Sequence, residues 1–395
     1  MLTPLEHLPL KLKLPAAAGG VEEFRLSAPR VFPRPSRPFN RIALAAAHVV
    51  ADPLSEKNPW LETAVDWDRT IAYRRHLWSL GLGVAEAMDT AQRGMGLDWP
   101  ASLELIRRSI DASRDIAGAV LFSGAGTDQL GSSASASLDQ VVAAYEEQCE
   151  AIEKLGGRII LMASRALAAC AKSPADYQQV YDRVLSQVRQ PVIIHWLGEM
   201  FDPALAGYWG HAEFDHAARV CHAIIARHSG RIDGIKISLL DKNKEIAMRR
   251  ALPAGVRMYT GDDFNYAELI EGDAQGHSDA LLGIFDPVAP AAASALGCLA
   301  AGDRRGFHDF FDPTLPLSRH IFSAPTRFYK TGVVLLAWLN GHQDHFSMVG
   351  GQQSARGILH LSGTFRLADA AGLLRDPELA CARMRHLLAL HGIEQ

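Results

Sequence analysis

Pro191-Val192-Ile193-Ile194-His195-Trp196-Leu197 and Ile232-Asp233-Gly234-Ile235-Lys236-Ile237-Ser238-Leu239-Leu240 are the two stretches that decide the fold. Each is a short, nearly continuous apolar run. Between them Phe214, Ala217, Ala218, Cys221, Ile224 and Ile225 recur at helical spacing. This is strand, helix, strand, and unbroken apolar runs suit strands covered on both faces. The first run carries one ionisable residue, His195, and the second carries Lys236 within its apolar stretch besides Asp233 near its start. Lys236 is flanked by apolar neighbours, so its ammonium must be paired or its pKa must fall. A lysine with a depressed pKa is a nucleophile towards carbonyl carbon and forms a Schiff base. His195 occupies the matching place in the preceding strand and suits proton transfer.

The same alternation extends in both directions. Strand candidates are 42–47, 83–88, 118–123, 158–163, 192–197, 234–239, 256–260 and 280–285, with amphipathic segments in most gaps. Leu138, Val141, Val142, Tyr145, Cys149, Ile152 and Leu155 form one stripe that stops at Gly156-Gly157. Ser173-Pro174-Ala175-Asp176 reads as a helix start. Eight such strands predict an α/β protein built as a (β/α)8 TIM barrel over residues 41–290. Residues 1–40 read as a Pro-rich arm, in which Leu10–Leu14 forms an edge strand or small hairpin. The arm is expected to pack over the body or a neighbouring subunit. Residues 291–395 read as a C-terminal helical region with segments at 291–301, 304–311, 317–322, 330–339 and two beyond Ala368. Gly341–Gly357 reads as a loop, a lid or a subunit contact.

Composition excludes several function classes. Hydrophobic content of 48% with 21% charged residues is that of a folded globular protein, and a net charge of -4 without dense basic clusters gives no nucleic-acid footprint. No apolar run approaches the length of a membrane span. The five cysteines are dispersed, which fits a reducing compartment, and the N-terminus lacks a signal-peptide pattern. The expectation is a cytoplasmic protein with a small-molecule partner.

In a barrel, the C-terminal strand ends and their loops form the site. Taken to that end, the strands present His48; Glu86, Asp89, Thr90 and Gln92; Gly124-Ala125-Gly126-Thr127; Ser164 and Arg165; His195 and Trp196; Lys236 and Ser238; Asp262 and Asp263; and Asp286. Lys236 and His195 are the candidate catalytic pair. Glu86, Asp89, Thr90, Ser164, Arg165, Trp196, Ser238 and Asp262 are candidate substrate contacts. The glycine-bearing turn at 124–127 lacks the pattern of a nucleotide loop, and no cofactor is expected.

The order of these pieces resembles the dihydrodipicolinate synthase and N-acetylneuraminate lyase superfamily, and more closely its divergent DUF993-type branch. The resemblance rests on Ile160-Leu161-Met162-Ala163-Ser164-Arg165, Pro191–Gly198, Gly234–Ser238, Thr260-Gly261-Asp262-Asp263, and Phe322-Ser323-Ala324-Pro325-Thr326 leading to Lys330. It spans roughly Arg41 to Gly341. It implies a class I aldolase barrel with C-terminal helices, assembled as a homodimer or homotetramer, whose Schiff-base lysine falls on Lys236. The family's strand-five tyrosine falls on His195. Its paired threonines, which hold a keto-acid carboxylate, fall on Asp89 and Thr90, and the glutamate ending that motif falls on Gln92. The arginine used for a second carboxylate falls near Met200, with Arg165 the remaining cation nearby. Asp89 repels a carboxylate unless it is protonated or paired.

These departures predict a Schiff-base aldolase or lyase that acts on a 2-oxo acid or related carbonyl compound but is not dihydrodipicolinate synthase itself. A cleft lined by His48, His195, Trp196, Tyr208 and Trp209 would suit a hydroxylated or aromatic substrate. Two other readings stay open. His48, Glu86, His195, Asp262 and Asp263 offer ligands for a metal-assisted aldolase or hydrolase, though without compact spacing. A barrel missing part of its acid clamp could also bind a metabolite without turning it over.

Overall fold

The computed structural model describes residues 10–16, 18–130 and 136–395; the start of the arm, residues 1–9, lies outside them. Ten strands are present: β1 (Lys11–Pro15), β2 (Val21–Arg25), β3 (Ala43–Ala46), β4 (Gly83–Glu86), β5 (Leu121–Ala125), β6 (Arg158–Leu161), β7 (Val192–Leu197), β8 (Ile232–Ser238), β9 (Arg257–Thr260) and β10 (Asp279–Leu282). Strands β3 to β10 close a barrel in chain order, each paired parallel to the next, with β10 returning to β3. Every barrel strand overlaps a predicted apolar run. Helices occupy the intervals, so the sheet is covered on its outer face. Inside, Leu44, Ala46, Ala85, Phe122, Ile160, Ile193, Tyr259 and Leu281 form a small cluster separate from the main core.

The local sequence explains the helix starts. Ser137 and Gln140 cap each other at the start of Leu138–Lys154. Pro174 opens Pro174–Gln187, and the Asp176 carboxylate accepts the Ser173 N–H at 2.9 Å.

The arm is a hairpin, β1 against β2, with Leu12 and Leu14 buried. It packs on its own chain: Ser27 N–H donates to Asp369 and Arg30 N–H to the Gly372 carbonyl. The C-terminal helices are Ala289–Ala300, Arg304–Phe311, Leu315–Ile321, Lys330–Leu339, Ile358–Ala370 and Pro377–Leu390. Ile358–Ala370 begins well before Ala368, where the sequence pattern placed the next segment. Its buried Leu361, Phe365 and Ala368 have helical spacing, but Ser362, Gly363 and Thr364 are weak helix formers that hide the stripe. All ten residues of Lys330–Leu339 are buried within the chain, so this apolar helix needs no partner subunit to cover it. No helix among the described residues is long and apolar enough to cross a membrane.

Candidate active site

The fold places Lys236 and His195 side by side. They are register partners on β8 and β7, and both are buried. Among the described residues the Lys236 ammonium has no hydrogen-bond or ion-pair partner. Burial pulls its pKa down from the ordinary lysine value, opposed by the charges of Asp263 and then Asp89. Asp263 is pushed the other way. Burial raises its pKa above the usual carboxylate range, against the Ile284 N–H held at 2.9 Å and the attraction of Lys236. The two shifts bring a buried amine and a buried acid towards the same pH range, an arrangement typical of functional sites. His195 donates to or accepts from Ser238 Oγ through Nε2 at 3.2 Å, and its buried Nδ1 has no partner among the described residues. Burial, then the neighbouring ammonium, holds its pKa well below the ordinary imidazole value. His195 is therefore a neutral ring.

The loop after β4 forms the next part. Asp89 and Thr90 lie in a 3-10 turn, both buried. Thr90 Oγ1 is 2.7 Å from the Tyr329 hydroxyl, and Asp89 Oδ2 is 2.9 Å from Lys330 Nζ. Asp89 is thus paired. Tyr329 and Lys330 come from the C-terminal region and complete the site. Asp89 also lines a cleft of about 420 Å³ over the ends of β4 to β7, with Arg93, Asp128, Arg165, Asp202 and Arg327. Arg93 spends all five N–H groups: on both oxygens of Asp128, on Gln148, and on the Gly124 and Ala87 carbonyls. Arg165 pairs with Asp202 through Nε, which leaves its two terminal nitrogens without acceptors among the described residues.

Four non-glycine residues have positive φ: Ala87, Gln92, Trp209 and Leu240. All follow the C-terminal ends of β4, β7 or β8. Such conformations cost of order 1–3 kcal/mol each and cluster where function constrains the backbone. The Gly341–Gly357 loop reaches the same turn: the Gln92 amide donates to Val349 O at 2.8 Å, and Gly96 packs against Gly350.

Four predicted contacts lie elsewhere. Glu86 faces the helices, where Arg74 binds it through two 2.8 Å hydrogen bonds and Ser109 at 2.5 Å. Trp196 stacks on Phe214, also on the outer face. Tyr208 and Trp209 are buried with it, the Tyr208 hydroxyl accepting the Ser164 N–H. Ser164 caps the helix Arg165–Cys170 and bonds Thr127. Asp262 closes its own turn through Phe264 and Asn265. For Glu86 on β4 and Trp196 on β7 the reason is strand alternation: neighbouring strand residues point to opposite faces, and a one-residue offset moves a side chain out of the barrel; Ser164 and Asp262 lie past their strands and are consumed by the local turns that follow. The proposed metal ligands do not converge either. His48 pairs with Asp286 at 2.8 Å and Glu86 with Arg74, and no group of three or more His, Cys, Asp or Glu among the described residues has metal-holding geometry.

Comparison with known proteins gives three findings. No curated protein matches. Solved structures of similar fold include a prophage protein of the dihydrodipicolinic acid synthase family from E. coli K12 in complex with pyruvate, 13% identical, covering 90% of this chain and 99% of that one at a TM-score of 0.62. They also include dihydrodipicolinate synthase from Thermotoga maritima (14%, 86% and 100%, 0.61) and the chloride-inhibited, pyruvate-complexed enzyme from Acinetobacter baumannii (16%, 84% and 99%, 0.60). At these identities the likeness is one of fold. The family model described as "Protein of unknown function (DUF993)" matches residues 12–393, and the chain, a barrel of the dihydrodipicolinate synthase type, belongs to that family.

Proposed function

We propose that this protein is a class I aldolase or lyase that captures a small carbonyl substrate, a 2-oxo acid or a related compound, as a Schiff base on Lys236. The observation that carries the reading is a lysine inside the barrel mouth with no ion-pair partner and a pKa lowered by burial. Its proton passes to Asp263, the carboxylate whose charge acts most strongly on it. The free amine then attacks the carbonyl carbon, water leaves, and the positively charged imine draws electrons from the adjacent carbon-carbon or carbon-oxygen bond. His195, being neutral, hydrogen-bonds the reacting substrate and relays a proton between its ring nitrogens without acting as an imidazolium acid. Asp89 lines the cleft, and Thr90 beside it is tied to the Tyr329 hydroxyl. Arg165 and the exposed Arg327 supply free guanidinium N–H groups at the rim.

Intact-mass analysis after incubation with 2-oxo acids or hydroxyketones plus borohydride tests the reading. A single adduct that disappears in Lys236→Met supports it. An adduct that persists in that variant, or its absence with every carbonyl compound tried, removes it. Assembly as a homodimer or homotetramer is part of the proposal, and a 43.0 kDa particle in light scattering would exclude it.

A further inference from the structure

The chemistry of the cleft floor narrows the substrate, given the Schiff-base reading. A 2-oxo acid carries its carboxylate on the carbon bonded to the carbonyl, so that anion must sit beside the lysine. The charged groups that act on Lys236 are both acids, Asp263 and Asp89. The neighbouring cations Lys330 and Arg93 are already engaged with other groups. Lys330 has three N–H groups, and its nitrogen already faces Asp89 Oδ2 at 2.9 Å, the Arg327 carbonyl at 3.0 Å and Met95 Sδ at 3.4 Å. Arg93 is fully spent, as described above. A carboxylate placed there would lose its water and find no uncommitted cationic side chain beside it.

The side chains around Lys236 instead offer acceptors. Asp89 Oδ2, although 2.9 Å from Lys330 Nζ, is a buried oxygen that accepts no hydrogen bond among the described residues. Asp263 accepts Ile284 N–H through Oδ1. His195 Nδ1, on a ring that is 1% exposed, is a buried nitrogen without a partner. A buried polar atom left unpaired is costly, and a ligand hydroxyl, which can donate as well as accept, satisfies it.

We propose that the carbon next to the carbonyl captured by Lys236 carries a hydroxyl and not a carboxylate: the substrate is a hydroxyketone or hydroxyaldehyde. Asp89 is its specificity-determining residue. Any anionic group such a substrate bears lies further along the chain, at the rim, where Arg165 and Arg327 have free donors.

Hydroxyacetone and pyruvate make a matched pair, since both are methyl ketones of three carbons that differ in this one group. The full-length protein is titrated with each in the presence of cyanoborohydride, and Lys236 modification is read by intact mass and peptide mapping. Hydroxyacetone is expected to half-saturate labelling at a concentration at least about tenfold below that of pyruvate. Asp89→Asn, checked for folding by its melting curve, is expected to narrow or reverse the ratio. Pyruvate labelling Lys236 at equal or lower concentration overturns the inference and leaves the Schiff-base reading intact. Labelling of Lys236 by neither ketone overturns both. If Asp89→Asn does not fold, the wild-type ratio still decides.

Discussion

Gly261 is where a single methyl group should separate a folded barrel from a working one. A Cβ built there would lie 2.8 Å from Lys236 Cε, 2.6 Å from the Ile237 carbonyl oxygen and closer still to Ser238 Oγ. The carbonyl cannot yield cheaply, because it accepts the Gly261 N–H at 2.9 Å in the ladder between β8 and β9. The strain must therefore spread the two strands, or rotate Ser238 away from His195 and swing Lys236 aside. Overpacking of this kind costs about 1–3 kcal/mol. For a chain of this size that lowers the melting temperature by roughly 1–4 °C. The effect on chemistry should be larger, since a misplacement of about 1 Å can cost 10²-fold in rate. Gly261→Ala is expected to melt a few degrees early and to trap a carbonyl ligand on Lys236 about 100-fold more slowly in the borohydride assay. Gly230→Ala is the control, because a Cβ there meets nothing within 4 Å. Trapping at the wild-type rate by Gly261→Ala would show that this contact does not hold the lysine in place, and the reasoning would fail.

Three further outcomes follow from the same geometry. Asp263→Asn removes the larger of the two negative charges that raise the Lys236 pKa, so the acid limb of the trapping rate should move to lower pH; an unmoved limb, or one displaced to higher pH, contradicts the pairing. Glu245 is buried between Thr260 and Ser278, and burial pushes its pKa up to about 8. The folded state therefore holds this proton more tightly than the unfolded chain, and the associated stability is present below the ordinary glutamate pKa and lost as pH rises through about 8. At about 1.4 kcal/mol per unit this amounts to a few kcal/mol, and urea melts of Glu245→Gln should lose that slope between pH 5 and pH 8. Arg74→Met strands the Glu86 carboxylate and should cost about 3–5 kcal/mol, much of it recovered in Arg74→Met with Glu86→Leu; Lys236 trapping should persist in the folded fraction, and its loss would return Glu86 to the site.

The sequence makes the barrel legible because eight apolar runs are continuous, which only doubly covered strands require. The third strand shows the limit. Its expected span ran from Gly118 to Ser123, whereas β5 covers Leu121–Ala125. Gly118 belongs to a turn with φ of 76°, while Gly124, which looks like a terminator, lies inside the strand because a Cβ there would meet the Ala87 carbonyl at 2.8 Å. Lys236 and His195 were legible from their shared phase. Glu86, Trp196 and Asp262 share the strand ends but not the inward face, and periodicity alone does not fix which of two adjacent residues turns in. Asp262 and Asp263 have equal claim on sequence, and only the bonds made by each separate a turn-closing carboxylate from one facing the lysine. Tyr329 and Lys330 carried a weak signal, the Phe322–Thr326 segment before them on which the family resemblance partly rests, but nothing local connects them to Asp89 and Thr90.

That connection changes what the C-terminal helices are for. Lys330 stands at the first position of its helix, the positive end of the dipole, and is buried; both facts disfavour an ammonium. Burial lowers its pKa, with Asp89 the main opposing influence. Neither partner is stable there alone: Asp89 without Lys330 is a buried, unpaired acid at the cleft floor, and Lys330 without Asp89 is a buried cation at the wrong helix end. The adjacent pair, Thr90 with Tyr329, repeats the tie one residue along. The loop after β4 and the start of the helix are therefore fixed as one unit, and the fully buried helix behind Lys330 gives that unit a rigid backing. The charge that Lys236 experiences from Asp89 then depends on a residue nearly a hundred positions further along the chain, so the helical region belongs to the chemistry of the barrel and not only to its packing.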